Sequence, residues 1–327
     1  MTDPLRAPSP KHVLVFGATG TIGRATTAAL LDRGHAVTCV MRPGADAVSA
    51  AGAACIQTEV LDPTAVARDV FGRGTFDAVI SCLASRTGPP RDAWAIDHRA
   101  TVDIVQAARA AGVPHVVLLS AICVQRPRLA FQHAKLAAEQ ALIASGLTYS
   151  IVRPTAYFKS LSGQIARVRS GKPYLLFGDG ALTACTPISD RDLGHYLALC
   201  VDTPDLQNRV LPIGGPGPAL TPRAMGDHLF ALLGQTPRFK HVPVGMMRAI
   251  AGGLAAAGKV VPPLAAKAEL ARIGLYYATE SMLVLNPDTQ QYDRTATPAT
   301  GADTLFDYYA AVLKGEATVE RGDHSVF

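Results

Sequence analysis

The chain has 327 residues, of which 49% are hydrophobic and 17% are charged. This composition excludes a disordered protein and a coiled coil, and the length suits two domains or one large α/β domain with an added lobe. The net charge of +5 is too small and too evenly spread to predict nucleic-acid binding. The cysteines form no CxxC pair and the histidines show no metal-ligand spacing, so we expect reduced thiols and no metal site.

The N-terminal residues 1–10 are rich in proline and lack the apolar segment of a secretory signal. We therefore expect a disordered tail and a cytoplasmic location. No segment of the sequence is long and apolar enough to cross a bilayer. The small or apolar residues from Ala249 to Gly258 cover half a span, which favours a packed or interfacial helix with weak support for contact with a membrane.

The first half of the chain alternates short apolar runs with helical segments. This pattern predicts βαβ units and an α/β fold of the Rossmann type, with a doubly wound parallel sheet over residues 11–155. After Arg153-Pro154 the elements shorten, which predicts a smaller substrate lobe over residues 156–327, partly interleaved with the sheet. The predicted strands cover Val13–Phe16, Ala36–Met41, Cys55–Glu59, Ala78–Ser81, His115–Ser120 and Thr148–Arg153, and the predicted helices cover Ile22–Asp32, Pro63–Phe71, Ala95–Ala111 and Phe131–Ala144.

A glycine-rich segment, Gly17-Ala-Thr-Gly20-Thr-Ile-Gly23, directly follows the first predicted strand and opens a helix. Glycines at these places permit a tight turn, close approach of a pyrophosphate and close packing of helix on sheet, while the helix N-terminus attracts the phosphates. A purely structural turn is the alternative. The predicted dinucleotide contacts in this segment are Gly17, Thr19, Gly20, Thr21, Ile22 and Gly23.

The end of the second strand distinguishes NADH from NADPH. A carboxylate there bonds the ribose 2′-hydroxyl of NADH, but this strand ends in Arg42 and no carboxylate follows before Asp46. Arg42, joined by Arg24, suits a 2′-phosphate, so we predict NADPH, with a solvated turn arginine as the alternative. Asp62 is a candidate contact for the adenine or a helix cap, and Ser81 marks where the nucleotide passes the fourth strand.

Further segments carry a family resemblance. They lie in order along the chain and together resemble the NADPH-dependent 8-vinyl reductases of divinyl chlorophyllide and protochlorophyllide, which are atypical short-chain dehydrogenases. The resemblance runs from about residue 12 to about residue 313. The segments are Val117–Gln125, Phe131–Leu136, Arg153–Ser160, Gly171–Tyr174, Phe177–Gly180, Ala184–Ser189 and Tyr276–Met282.

The resemblance also points to catalytic positions. Most short-chain dehydrogenases carry Tyr-x-x-x-Lys, but the matching segment here begins with Phe131 and ends with Lys135. Lys135 is therefore the predicted catalytic residue and cofactor-ribose ligand, and Ser120 is a candidate contact beside the nicotinamide. A carbonyl reductase needs the missing phenol, whereas a vinyl group conjugated with a macrocycle stores the incoming charge without forming an alkoxide.

Four residues at the carboxyl end of the sixth strand are predicted to bind substrate, because ligands of such sheets bind at that edge. Arg153 begins the segment, Tyr157 and Phe158 can line a flat aromatic pocket, and Lys159 can pair with a substrate propionate. Core packing is the alternative for both aromatic residues.

The resemblance implies an enzyme of (bacterio)chlorophyll biosynthesis that reduces the 8-vinyl group of divinyl (proto)chlorophyllide a to ethyl with NADPH. The substrate is then a magnesium tetrapyrrole, and the enzyme works in the cytoplasm at or near the photosynthetic membrane surface. Two alternatives remain. One is a non-catalytic NADP(H)-binding sensor or assembly factor, and the other is a double-bond or ether reductase that acts on phenolic substrates.

Overall fold

The computed structural model describes residues 9–45, 52–85 and 89–319. Most of the predicted disordered tail, and Asp46, lie outside these residues. The strands are β1 (His12–Phe16), β2 (Ala36–Met41), β3 (Ala54–Gln57), β4 (Ala78–Ser81), β5 (His115–Leu119), β6 (Thr148–Pro154), β7 (Tyr174–Phe177), β8 (Arg209–Ile213), β9 (Phe239–Val242), β10 (Val284–Leu285) and β11 (Tyr292–Asp293).

The helices connect these strands and cover the sheet. Two of them are extended by π-helical stretches, Val66–Val70 after α2 and Ala93–Ala100 between α3 and α4. The helices are α1 (Thr21–Asp32), α2 (Pro63–Ala65), α3 (Pro90–Asp92), α4 (Thr101–Ala110), α5 (Ala130–Ala144), α6 (Phe158–Leu161), α7 (Ile165–Arg169), α8 (Asp190–Asp202), α9 (Pro222–Leu232), α10 (Val244–Gly258), α11 (Pro262–Thr279) and α12 (Leu305–Lys314).

The central sheet has seven strands in the order β3-β2-β1-β4-β5-β6-β8, and every pair is parallel. This confirms the predicted α/β fold of the Rossmann type. The strand order reverses beside β1, between β1 and β4, so their carboxyl ends form the crevice in which such sheets bind ligands. Helices α1, α4 and α5 make crossovers between parallel strands, and helices cover both faces of the sheet.

Two apolar cores lie on opposite faces of the sheet, and β1 contributes to both. Val13 and Val15 point into the core that α1 and α8 cover, while Leu14 and Phe16 point into the core beneath α4 and α5. This alternation follows from the two-residue period of a strand. Because both faces are buried, the strand reads as a continuous apolar run, which made it recognisable in the sequence.

The second half of the chain builds a lobe above the carboxyl edge of the sheet. Its core joins β7, α9, α11 and α12 to the segment that follows β5. β7 and β9 form a separate parallel pair, and α10 packs mainly against α11. β8 and α8 return to the central sheet, so the lobe and the sheet share elements. In the part of the chain that is described, no helix has the length and apolar character needed to span a membrane.

Candidate dinucleotide and substrate site

Two positions in the turn between β1 and α1 have room for glycine only. Gly17 adopts a φ of +74°, and a Cβ on it would lie 2.8 Å from the carbonyl carbon and oxygen of Cys82. A Cβ on Gly23 would lie 2.1 Å from the carbonyl oxygen of Gly17. Gly20, at the N-cap of α1, gives the first amides of that helix no side-chain acceptor. The turn therefore presents the positive end of α1 at the crevice, as an anion site requires.

Neighbouring groups also fit a dinucleotide at this edge. The Ser81 hydroxyl, at the end of β4, is buried and has no hydrogen-bond partner within the described ranges. A buried hydroxyl without a partner calls for an explanation, and a nucleotide crossing the sheet here would provide one. Arg24 donates to the carbonyl of Thr19 at 2.6 Å, which braces the turn, while Ile22 is packed in the core.

A surface pocket of about 430 Å³ lies beyond the end of β2. Arg42, Pro43, Gly44, Ala45 and Glu59 line it. Arg42 is exposed, so its guanidinium is accessible to a phosphate group. Glu59, after β3, was not predicted from the sequence, and it brings a carboxylate to the same pocket.

Asp62 caps α2. Its Oδ1 accepts hydrogen bonds from the amides of Thr64 and Ala65, at 2.9 and 3.1 Å. The capping role is therefore present in the structure. A contact from Asp62 to the adenine stays a prediction, and the two roles are compatible.

The Arg42 side chain gives a test of cofactor preference. We expect Arg42→Ala to weaken NADPH binding roughly tenfold or more and to leave NADH binding nearly unchanged, because one charge-assisted hydrogen bond contributes about 1.5–3 kcal/mol. Fluorescence titration with each nucleotide measures this. Glu59→Gln, in the same pocket, should strengthen NADPH binding by removing a like charge. Equal losses for both nucleotides in Arg42→Ala would contradict the assignment.

Lys135, on α5, is held in a buried ion pair. Its Nζ lies 3.1 Å from Oδ1 of Asp97, and the side chains of Lys135 and Asp97 are 11% and 1% exposed. The other oxygen of Asp97 accepts from the hydroxyl of Ser85 at 2.6 Å. This triad fixes the ammonium beside the loop that follows β4. Asp97 and Ser85 were not predicted, since they are distant from Lys135 in the sequence.

Two thiols lie near the ammonium group, and two phenols lie near those thiols. Burial raises the pKa of the Cys82 thiol to about 12, although contact with Thr26 and the charge of Lys135 oppose this. Burial likewise raises the pKa of Cys123, whose thiol contacts the side chains of Gln132 and Tyr277.

The phenols come from different parts of the chain. Tyr157 follows β6 and lies near both thiols, and burial raises its pKa. Tyr277 comes from α11, far along the sequence, and its hydroxyl points inward to Cys123 although 39% of the residue is exposed. Its role was not predicted, although its segment was part of the family resemblance. Thiols and phenols thus lie together on the side of the site where Lys135 is held.

Ser120 and Arg153 share a single partner. The hydroxyl of Ser120 and the guanidinium of Arg153 both donate to the buried carboxylate of Glu139, with Arg153 binding both of its oxygens. This network ties the ends of β5 and β6 to α5. The roles predicted for Ser120 at the nicotinamide and for Arg153 at the substrate stay predictions.

Lys159 connects the lobe to the dinucleotide turn. Its Nζ donates to the hydroxyl of Thr21, the first residue of α1, at 2.6 Å. The lobe therefore places a cation at the anion site of the turn. Phe158 is buried in the core of the lobe, where its ring contacts Tyr308. The roles of Phe158 and Lys159 at the substrate stay predictions.

Comparisons with known proteins agree with this geometry. A model of the NAD(P)H-binding family matches residues 17–204. A chloroplastic divinyl chlorophyllide a 8-vinyl-reductase of Oryza sativa subsp. indica is 48% identical over 98% of this chain and 83% of its own length. The enzyme of the same name from Zea mays is 46% identical over 98% of this chain and 84% of its own length. The chain belongs to the divinyl chlorophyllide a 8-vinyl-reductase family. This confirms the resemblance that the sequence segments indicated.

The fold of this vinyl reductase family member also occurs in a solved structure. An NADPH-dependent quinone oxidoreductase of Escherichia coli, complexed with NADPH, superimposes with a TM-score of 0.65 over 92% of this chain and 99% of its own. The two chains are 18% identical, so this likeness concerns the fold alone. Within residues 9–45, 52–85 and 89–319, no group of three or more His, Cys, Asp or Glu side chains is arranged to hold a metal.

Proposed function

We propose that the chain reduces the 8-vinyl group of divinyl chlorophyllide a or protochlorophyllide a to ethyl in (bacterio)chlorophyll biosynthesis. NADPH, when bound, supplies a hydride to the terminal vinyl carbon, and a proton completes the inner carbon, so that the C=C bond becomes a C–C bond. One observation supports the proposal: Asp97 holds Lys135 of α5 in a buried ion pair, while the position four residues earlier, where a carbonyl reductase carries a tyrosine, is Phe131.

Residues of the sheet edge bind and orient the cofactor in this proposal. The turn from Gly17 to Gly23 holds the pyrophosphate, and Arg42 holds the 2′-phosphate. Lys135 binds the hydroxyls of the nicotinamide ribose, since its ammonium keeps further donors after pairing with Asp97. Ser81 and Ser120 lie at the ends of the neighbouring strands β4 and β5.

The proton comes from the lobe in this proposal. The hydroxyl of Tyr277 is the donor, because it contacts Cys123, whose thiol is also influenced by the charge of Lys135. Burial raises its pKa, so the phenol keeps its proton at neutral pH and can release it only to a strongly basic carbon. Tyr157 lines the same crevice and supports the flat face of the ring.

Position 131 offers a test of the reaction type. We expect Phe131→Tyr to leave the rate of vinyl reduction unchanged within about twofold, because the reaction develops no localised alkoxide that a phenol there would protonate. Steady-state rates of the two proteins measure this. A large gain in rate in the variant would contradict the mechanism.

The substrate occupies the space between the carboxyl edge of the sheet and the lobe. In this proposal Lys159, whose Nζ donates to Thr21 at the start of α1, pairs with a substrate propionate, and Arg153 and Phe158 support the segment that carries it. We also propose that residues 11–155 form the nucleotide domain and residues 156–327 form the substrate domain. We further propose that the chain works at the cytoplasmic surface of the photosynthetic membrane.

One assay tests the whole proposal. Purified protein is mixed with NADPH and divinyl chlorophyllide in detergent, and the absorbance spectrum is followed. We expect the Soret band to shift to the blue as the vinyl conjugation is lost. A protein that binds NADPH but leaves the spectrum unchanged would instead be an NADP(H)-binding sensor or assembly factor.

A further inference from the structure

Helices α10 and α11 form a hairpin, residues 244–279, in which the C-terminal half of α11 joins the core of the lobe. α10 packs mainly against α11, and Ala251 is its one fully buried residue. The helices approach closely near their junction, where a Cβ on Gly258 would lie 2.9 Å from the backbone of Ala265. Most of the surface of α10 therefore faces away from the protein core.

Large apolar side chains are exposed along this hairpin and at its tip. Ile250, in the middle of α10, is 52% exposed, and Val260, in the loop between the helices, is 83% exposed. Met246 lies one turn before Ile250 on the same face of the helix, and it is also exposed. Several large apolar side chains exposed on one hairpin are unusual on a protein that meets only water.

The exposed charges on the hairpin have one sign. The segment carries four basic residues and one acidic residue, Glu269, which is buried and pairs with Arg272 at 3.6 Å. Arg248, Lys259 and Lys267 are exposed beside the apolar side chains. Apolar residues flanked by exposed cations match the interface of an anionic bilayer, where acyl chains lie beneath negative headgroups.

We infer that the hairpin docks the protein on an anionic lipid bilayer. Ile250, Val260 and Val261 enter the boundary between headgroups and acyl chains, and the exposed basic residues bind the headgroups. The inference deepens the proposed function and rests on it for its purpose, because a flat apolar pigment partitions into membranes. α11 runs from the docked tip to Tyr277, so it links the membrane surface to the crevice.

Vesicle flotation of the full-length chain, without substrate, tests the docking. We expect the protein to float with phosphatidylglycerol vesicles, to bind phosphatidylcholine vesicles weakly, and to be released by salt. Ile250→Asp combined with Val260→Asp should reduce binding about tenfold or more. The matched control is Ile143→Asp, since Ile143 is an exposed apolar residue near the end of α5. This control should bind as the unchanged protein does.

Other outcomes would overturn the inference. It fails if the unchanged protein stays with the soluble fraction, or if the double variant floats as well as the control. It also fails if light scattering shows a dimer that the double variant dissociates, because the apolar face would then bind a second copy. Vinyl reduction in detergent is a separate measurement: its absence from every variant would refute the proposed function and leave the vesicle result standing.

Discussion

Replacing Lys135 with methionine is expected to lower kcat/KM for NADPH-dependent vinyl reduction roughly tenfold to hundredfold. The ammonium binds the cofactor ribose in our proposal, and charge-assisted hydrogen bonds contribute about 1.5–3 kcal/mol each. Methionine keeps the unbranched stem of the side chain as far as Cε and removes the charge and the donors. Rates followed by the Soret shift, together with NADPH titration, measure the loss. Unchanged affinity and turnover would refute the assignment.

The same substitution also leaves Asp97 buried without its cation. Removing one partner of a buried ion pair costs about 3–5 kcal/mol, so Lys135→Met alone should also lower the Tm. The double variant Lys135→Met with Asp97→Asn removes this charge and keeps a polar partner for Ser85. We expect the double variant to recover stability but not activity. Recovery of both would mean that Lys135 serves the fold only.

Short apolar runs allowed the central sheet to be predicted from the sequence. β2 and β4 begin and end at the predicted residues, and β1 begins one residue earlier. These strands are buried on both faces, so nearly every residue in them is apolar. The physical constraint acts on each strand by itself, which is why a local pattern is enough to locate it.

β8 could not be located in the same way. It begins with the exposed residues Arg209 and Val210, and it contains Pro212. Proline cannot donate to a sheet ladder and is tolerated at an edge, where β8 lies beside β6 alone. An edge strand needs less apolar surface than a central one, so its sequence carries a weaker signal. For this reason, the sequence predicted that the lobe is partly interleaved with the sheet but did not identify the strand involved.

The candidate site shows the same division between local and distant information. The glycine turn and Lys135 belong to short motifs, in which spacing along the chain fixes the relative positions. The partners of these residues come from elsewhere: Asp97 holds Lys135, Glu139 binds Arg153, and Thr21 accepts from Lys159. Such pairs are made by tertiary packing, so no spacing rule in a single sequence could reveal them.

Tyr277→Phe is expected to lower kcat about a hundredfold or more while leaving the KM for NADPH unchanged, because general acid catalysis contributes on this scale and the phenol faces the substrate in our proposal. Phenylalanine keeps the ring and removes only the hydroxyl that contacts Cys123. Stopped-flow absorbance at the Soret band separates the chemical step from binding. A solvent deuterium isotope effect in the unchanged protein should be altered in the variant.

Tyr276→Phe is the matched control for this prediction. The hydroxyl of Tyr276 donates to the carbonyl oxygens of Cys123 and Arg126, at 2.9 and 3.0 Å, so it serves the backbone of the lobe. Its loss should cost about 1 kcal/mol of stability and leave kcat unchanged.

Because burial raises the pKa of Tyr277, the donor stays protonated as the pH rises through neutrality, and kcat should not fall there. If Tyr157→Phe abolishes turnover while Tyr277→Phe does not, Tyr157 is the donor instead.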